Sequence, residues 1–291
     1  MDLSGKNIIV TGGNVGIGRP TALELARLGA NVTIIGRNEA TCSAAVDEIT
    51  ETTGNQKVEF KIVDLASFSA IQQFSNEYKA AHTKLDMLVN NAGVVRPPIN
   101  KTEQGIEATT GINYLGHFFL THLLKDLLIP VKGRVVMVAS KAYEYYGITL
   151  QMLEGENPEL FKPVENSEIE QYCKSNIARV LFARELVKRY PELTCASLHP
   201  GTIDTEVYRS SGKLYLCIAS CMRKYWKTPE QGAQTSIYCA TADLGEGNGC
   251  YFVNSELRAF NEKQIDEDVQ LKLWEVSMKV VEEFLESKDT S

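Results

Sequence analysis

A glycine-rich run, Thr11-Gly12-Gly13-Asn14-Val15-Gly16-Ile17-Gly18, stands directly after the apolar segment NIIV and opens a helix-like stretch. Glycines at such a point let the chain turn tightly and bring its backbone against a phosphate. The free amides and positive dipole of the helix start attract that anion. A glycine triplet alone is weak, because loops collect glycine for turns; the strand before and the helix after make this one a dinucleotide-binding loop. The end of the second apolar segment, Ile34-Ile35-Gly36-Arg37-Asn38, bears on which dinucleotide is held. An acidic residue there would bind the ribose 2′-hydroxyl of NAD, whereas an arginine pairs with the 2′-phosphate of NADP. Arg37 therefore predicts NADP(H) in preference to NAD(H), with Arg19 as a helper; the competing reading is a solvated surface arginine.

The elements that position this loop follow from a repeated pattern. NIIV leads to a periodic segment at 21–29, NVTIIG to one at 40–50, VEFKIV to one at 67–80 and LDMLVN to one at 113–128. RVVMVA follows, and TCASL comes after a predicted helix at 169–190. Continuous apolar strands alternating with helices imply a parallel sheet covered on both faces. Right-handed crossovers then give a doubly wound sheet with its ligand crevice at the carboxyl ends of the strands. The expected fold is α/β, a Rossmann-type single three-layer α/β/α domain over residues 1–291, without linker or internal repeat. Two stretches interrupt the alternation. Residues 142–168, aromatic and acidic, read as a functional loop in which Tyr143, Tyr145 and Tyr146 either line a substrate entrance or pack the loop down. Residues 206–227 mix apolar residues with Arg and Lys, and read either as a helix on the core or as a lid over an apolar substrate that touches a membrane surface. A further helical periodicity covers 269–285.

The TGxxxGIG spacing resembles the short-chain dehydrogenase/reductase family, and further motifs agree in family order over roughly residues 5–255. They are Asp64-Leu65, Asn90-Asn91-Ala92-Gly93, Asn113 within NYLGHFFLTHLL, Ser140, Tyr172, and His199-Pro200-Gly201 leading to Thr205. Within the family, NYLGHFFLTHLL, YCKSNIARVLFARELVKR and KTPEQGAQTSIYCATA are most similar to the retinol dehydrogenase and WW-domain oxidoreductase branch. The resemblance implies hydride transfer between the nicotinamide and a carbonyl or alcohol. It places cofactor contacts at Gly12, Asn14, Gly16, Ile17, Gly18, Asp64, Leu65, Asn91, Gly93, Pro200, Gly201, Ile203 and Thr205. It makes Tyr172 the acid, Ser140 the hydrogen-bond donor to the substrate oxygen, and Asn113 the holder of a helix kink and a proton-relay water. Without the resemblance, Ser140 reads as a turn cap, Asn113 as a helix cap and His199 as a packed residue beside the Pro200-Gly201 turn.

One departure concerns the chemistry. The family motif is YxxxK, with the lysine one helical turn beyond the tyrosine on the same face. Here the run is Tyr172-Cys173-Lys174-Ser175-Asn176, so Asn176 takes the lysine position. Lys174, two residues on, points to another face, and no other tyrosine is followed by lysine at that spacing. Loss of a cation beside the phenol makes the phenolate needed for alcohol oxidation scarcer and leaves the phenol needed for reduction. Asn176 keeps two donors and an acceptor for part of the ribose contact. The expectation is a reductase of lipophilic aldehydes or ketones, retinal-like or otherwise apolar. The alternative is a cofactor-binding relative with weakened chemistry that acts as a sensor or interaction protein; the joint presence of Asn113, Ser140 and Tyr172 favours the enzyme.

Composition bounds the rest. The 291 residues are 44% hydrophobic with a net charge of −7, which suits a well-buried core and argues against nucleic acid. Seven scattered cysteines without a CxxC pair suggest a reducing compartment, and with four histidines give no metal-ligand spacing. No signal peptide or membrane-spanning stretch is expected ahead of the fold, so the expected address is cytoplasmic, with self-association left open.

Overall fold

The computed structural model describes residues 1–163, 168–203 and 226–289. β1 (Asn7–Thr11), β2 (Asn31–Gly36), β3 (Val58–Ile62), β4 (Met87–Asn90), β5 (Arg134–Val138), β6 (Thr194–His199) and β7 (Tyr251–Val253) pair in parallel in the order β3-β2-β1-β4-β5-β6-β7. β8 (Glu256–Arg258) closes the edge antiparallel to β7. Alternate residues of the inner strands serve opposite faces, as the pleat requires. Ile9, Leu88, Val135 and Met137 join the core that holds Phe118, Phe182 and Trp274, whereas Ile8, Val10, Val89 and Val136 join the core that holds Leu25 and Ile49. Burial on both faces is why these strands read as unbroken apolar runs. β3, at the sheet edge, exposes most of its residues and is correspondingly mixed in composition.

The crossovers are helical. α1 (Gly18–Arg27), α2 (Glu39–Thr53) and α3 (Phe68–Ala81) connect the first four strands; the Asn38 and Ser67 side chains cap the latter two by accepting from Thr41 N and Ala70 N. A single turn, α4 (Ala108–Thr110), runs through a π-helical turn at Gly111–Leu115 into α5 (Gly116–Leu128). α6 (Glu168–Arg189), α7 (Pro229–Thr241) and α8 (Glu267–Asp289) complete the set. Thr228 and Gln231 form a reciprocal capping box at the start of α7, and Trp274 of α8 stacks on Phe182 of α6 with ring centroids 5.9 Å apart. The chain order reverses between β1 and β4, which sets the crevice at the carboxyl ends of those strands.

The predicted helices at 21–29, 40–50, 67–80, 169–190 and 269–285 match observed ones within a few residues at each end. β7 and β8 are additions to the expected strand list. Their connection uses Asn254 and Ser255, both at positive φ (53° and 63°), a tight hairpin turn made without glycine. Of the 142–168 insertion, residues 142–163 and 168 are described. It is held down by Tyr143, Ile148, Leu153, Leu160 and Phe161, all buried. Of the 206–227 segment only Trp226 and Lys227 belong to the described residues. Among the described residues no helix is long and apolar enough to cross a membrane.

Candidate active site

The glycine loop closes tightly on its neighbours. Gly12 and Gly16 take left-handed backbone angles (φ 63° and 56°) that side chains disfavour. A Cβ on Gly18 would lie 2.2 Å from the Gly12 carbonyl oxygen and 2.5 Å from Asn91 Nδ2. The Thr11 hydroxyl accepts from the amides of Asn91 and Ala92, each at 2.9 Å, and Asn91 Nδ2 donates to Thr11 O at 2.8 Å. These bonds tie the end of β4 to the start of the loop. α1 begins with no side-chain cap and no acidic residue in its first turn, so the positive end of its dipole is not neutralised by its own residues.

The groove above this loop has a volume of about 870 Å³, large for a ligand pocket. Gly12, Asn14, Gly16 and Ile17 line one part and Asp64, Leu65, Asn91 and Gly93 another, while Pro200, Gly201 and Ile203 line the far end. Gly18 is buried at the start of α1, packed against the Gly12 carbonyl and Asn91. Thr205 lies outside the described residues. Arg37 lines the groove at the end of β2 with its side chain exposed, whereas Arg19 is held by Glu48 in an ion pair at 2.9 Å. The close approach at Gly18, the uncapped and acid-free start of α1 and the arginine at the β2 end suit a phosphate-bearing dinucleotide.

Ser140 and Tyr172 line the same groove. Ser140 follows β5, and its Oγ accepts from Ala142 N at 3.2 Å, a contact that uses a lone pair and leaves the hydroxyl proton to donate. Ser140 is thus a turn cap, as its sequence position alone reads, and it also faces the groove. Tyr172 sits near the start of α6, half-buried. Asn113 lies within the π-turn and is fully buried. Its side chain clamps Val94, accepting from the amide at 2.8 Å and donating to the carbonyl at 2.9 Å, and also donates to Ser175 Oγ at 3.0 Å. It is thus neither a helix cap nor a groove-facing side chain; its amide fixes the loop that follows β4.

The carbonyl of Asn113 is a junction. It accepts from His117 Nδ1 at 2.9 Å and from Arg179 Nε at 2.5 Å. Because a carbonyl only accepts, His117 carries its proton on Nδ1, and its Nε2 takes the Thr11 hydroxyl at 2.8 Å. Burial, aided by the Arg179 charge, pushes His117 down to about 3, so it is neutral and purely a connector at neutral pH. His199 lines the groove and is likewise pushed down to about 4 by burial and by the charges of Lys227 and Lys141.

Asn176 lies one helical turn beyond Tyr172 on α6 and is fully buried. Its Nδ2 donates to Tyr172 O at 2.8 Å, one turn back on its own helix, and its buried Oδ1 has no hydrogen-bond partner among the described residues. The short side chain folds back onto its own helix backbone. Lys174, as its helical position requires, faces elsewhere and pairs with Glu170 at 2.6 Å. Two groups around the site were not singled out from sequence. Arg179, a charge inside the apolar stretch IARVLFA, lines the groove from α6 although it is buried. Arg96, which follows β4, holds positive φ (55°), lines the groove and pairs with Glu168 at the start of α6. The insertion tyrosines divide. Tyr143 is buried edge-on against Tyr251 with ring centroids 4.9 Å apart, whereas Tyr145 is exposed and lines the groove.

The family model for short chain dehydrogenase matches residues 6–152, half of the chain. The chain belongs to the short-chain dehydrogenase/reductase family. It is similar to retinol dehydrogenase 11 of Homo sapiens, at 38% identity over 288 residues that cover 95% of this chain and 86% of the relative. It is also similar to retinol dehydrogenase 13 of Homo sapiens, at 37% identity with 96% and 85% covered. Among solved structures, an uncharacterized protein from Mycobacterium paratuberculosis superposes with a TM-score of 0.74 at 27% identity, covering 97% of this chain and 95% of that one. A short chain dehydrogenase from Burkholderia cenocepacia in complex with NADP gives a TM-score of 0.68 at 24% identity, with 87% and 97% covered. As a short-chain dehydrogenase/reductase related to the retinol dehydrogenases, the chain has the fold, family and branch that its motifs resemble.

Proposed function

We propose that this short-chain dehydrogenase/reductase binds NADP(H) and reduces a lipophilic aldehyde or ketone, with Tyr172 as proton donor. The observation that carries the reading is the meeting of Tyr172, Ser140 and the glycine cradle on one groove. The α1 amides and the backbone at Gly12, Asn14, Gly16 and Ile17 hold the pyrophosphate, and Arg37 pairs with the 2′-phosphate. Asp64 and Leu65 flank the adenine; Asn91, Gly93, Pro200, Gly201 and Ile203 border the nicotinamide end, a role the family resemblance extends to Thr205. The bound nicotinamide supplies the hydride that goes to the carbonyl carbon. Ser140 donates to the carbonyl oxygen, and Tyr172 gives its proton to that oxygen as negative charge develops there, which leaves a phenolate and an alcohol.

An apolar substrate suits the rim, where Val94, Val95, Pro97, Pro98 and Tyr145 face the groove. The names of the retinol dehydrogenase relatives support a retinal-like or similarly lipophilic compound. Reduction is the favoured direction because it draws on the neutral phenol. A cytoplasmic, reducing setting fits Cys42, Cys173, Cys195, Cys239 and Cys250, all free thiols. A second reading, a nucleotide-binding relative with weakened chemistry, takes its support from Asn176, whose amide is spent on its own helix.

Calorimetric titration with NADPH and NADH, followed by addition of lipophilic aldehydes to the saturated protein, separates these readings. The proposal expects NADPH to bind about tenfold or more tighter than NADH, from the charge-assisted contact at Arg37, and to be consumed. Binding without consumption favours the second reading, and failure to bind either nucleotide contradicts both.

A further inference from the structure

When Tyr172 gives up its proton, a negative phenolate remains in a half-buried site, and a cation nearby lowers the free energy of that state. Asn176 is neutral, and Lys174 is locked to Glu170 on another face of α6. Arg179 stands seven residues beyond Tyr172, two turns along the same helix face. Helical side chains lean toward the helix N-terminus, so its long stem carries the guanidinium back toward Tyr172. There it borders the groove with Tyr172, and a Cβ on Gly93 would lie 3.3 Å from Nη1.

The guanidinium is held rigidly. Nε donates to Asn113 O at 2.5 Å, Nη1 to Val138 O at 2.8 Å and Nη2 to Ala92 O. These carbonyls belong to the π-turn, the end of β5 and the loop after β4, so the charge is fixed relative to the reacting groups. Among the described residues its partners are carbonyl oxygens and no carboxylate pairs with it. A buried cation without a counter-anion is costly, and its field stays available to a neighbouring anion. Burial lowers Arg179 to about 10, which keeps it charged at neutral pH, and the field of Tyr172 acts in the opposite, stabilising sense.

We infer that Arg179 is the positioning cation of this active site: its fixed charge stabilises the Tyr172 phenolate and takes over the electrostatic role that Asn176 cannot fill. The inference rests on the reading of Tyr172 as proton donor. Asn176 then ceases to be a defect, and alcohol oxidation becomes accessible beside carbonyl reduction. Other titratable or charged groups around the pair are His117 on α5, Tyr251 on β7, Lys141 after β5 and Arg96 on the loop after β4.

The test is the pH at which Tyr172 ionises, read from tyrosinate absorbance as the difference between the protein and its Tyr172→Phe form, with and without NADPH. Arg179→Gln is expected to raise that pH by about one unit or more. Arg179→Lys keeps it nearly in place, and Asn176→Lys added to Arg179→Gln brings it back. Lys141→Gln shifts nothing. An unmoved ionisation in Arg179→Gln that still melts cooperatively overturns the inference. So does a shift that appears in Lys141→Gln and not in Arg179→Gln. If Arg179→Gln does not fold, Arg179→Met, which keeps the stem and removes the charge, decides by the same readout. This readout needs no turnover, so absence of carbonyl reduction fails the functional reading separately.

Discussion

Tyr172 and Arg37 allow binding and chemistry to be separated one side chain at a time. Tyr172→Phe removes the transferable proton and keeps the ring, so turnover is expected to fall by about 10²–10⁴-fold while NADPH affinity changes little; single-turnover absorbance and a binding titration measure the two. Arg37→Glu sets a negative charge against the 2′-phosphate and is expected to weaken NADPH by about tenfold or more, with NADH much less affected. The residue-level signals were legible because they are types at fixed spacing: the glycines, Ser140, Tyr172 and the asparagine that stands in the lysine position. Arg179 was not. Its partners Asn113, Val138 and Ala92 lie 66, 41 and 87 residues away, so its meaning exists only once the π-turn, β4 and β5 have been brought together.

At the scale of elements, the site is a set of strand and helix ends tied by a few bonds. Gly18→Ala would force its methyl carbon into the Gly12 carbonyl at 2.2 Å, so the loop must open or α1 must shift. The expected outcome is loss of nucleotide binding with destabilisation of about 1–3 kcal/mol, checked by titration and denaturant unfolding. Asn113→Ala would strand the Val94 amide and carbonyl that its side chain now satisfies. A loss of about 2–3 kcal/mol is expected, together with weakened turnover as the loop after β4 loosens. The inner strands could be read from sequence because burial on both faces demands unbroken apolar runs, as in β5. β7 and β8 could not, being three residues each and joined by a turn that carries no glycine. The π-turn was not legible in the periodicity, which does not register one extra residue in a turn; only the family resemblance set a helix kink at Asn113.

Across the whole molecule, three histidines are held neutral, His117 fully buried and pushed down to about 3, His122 and His199 half-buried and pushed down to about 4. Burial is the leading cause for each. In the unfolded chain they take up protons below about 6.5, while in the folded chain they stay neutral until far lower pH. Stability is therefore fully present above about pH 6.5 and is lost as pH falls toward 4, because the unfolded state binds more protons. The melting temperature is expected to drop steadily between pH 7 and pH 5; a flat profile there would contradict neutral burial of these rings. For the account as a whole, the most direct measurement follows NADPH absorbance after adding a lipophilic aldehyde to the protein and, in parallel, to its Tyr172→Phe form. The prediction is stoichiometric, continuing NADPH consumption by the protein and its near-abolition in the variant. Bound NADPH that is never consumed, or consumption that is equal in both, would contradict a reductase built on Tyr172.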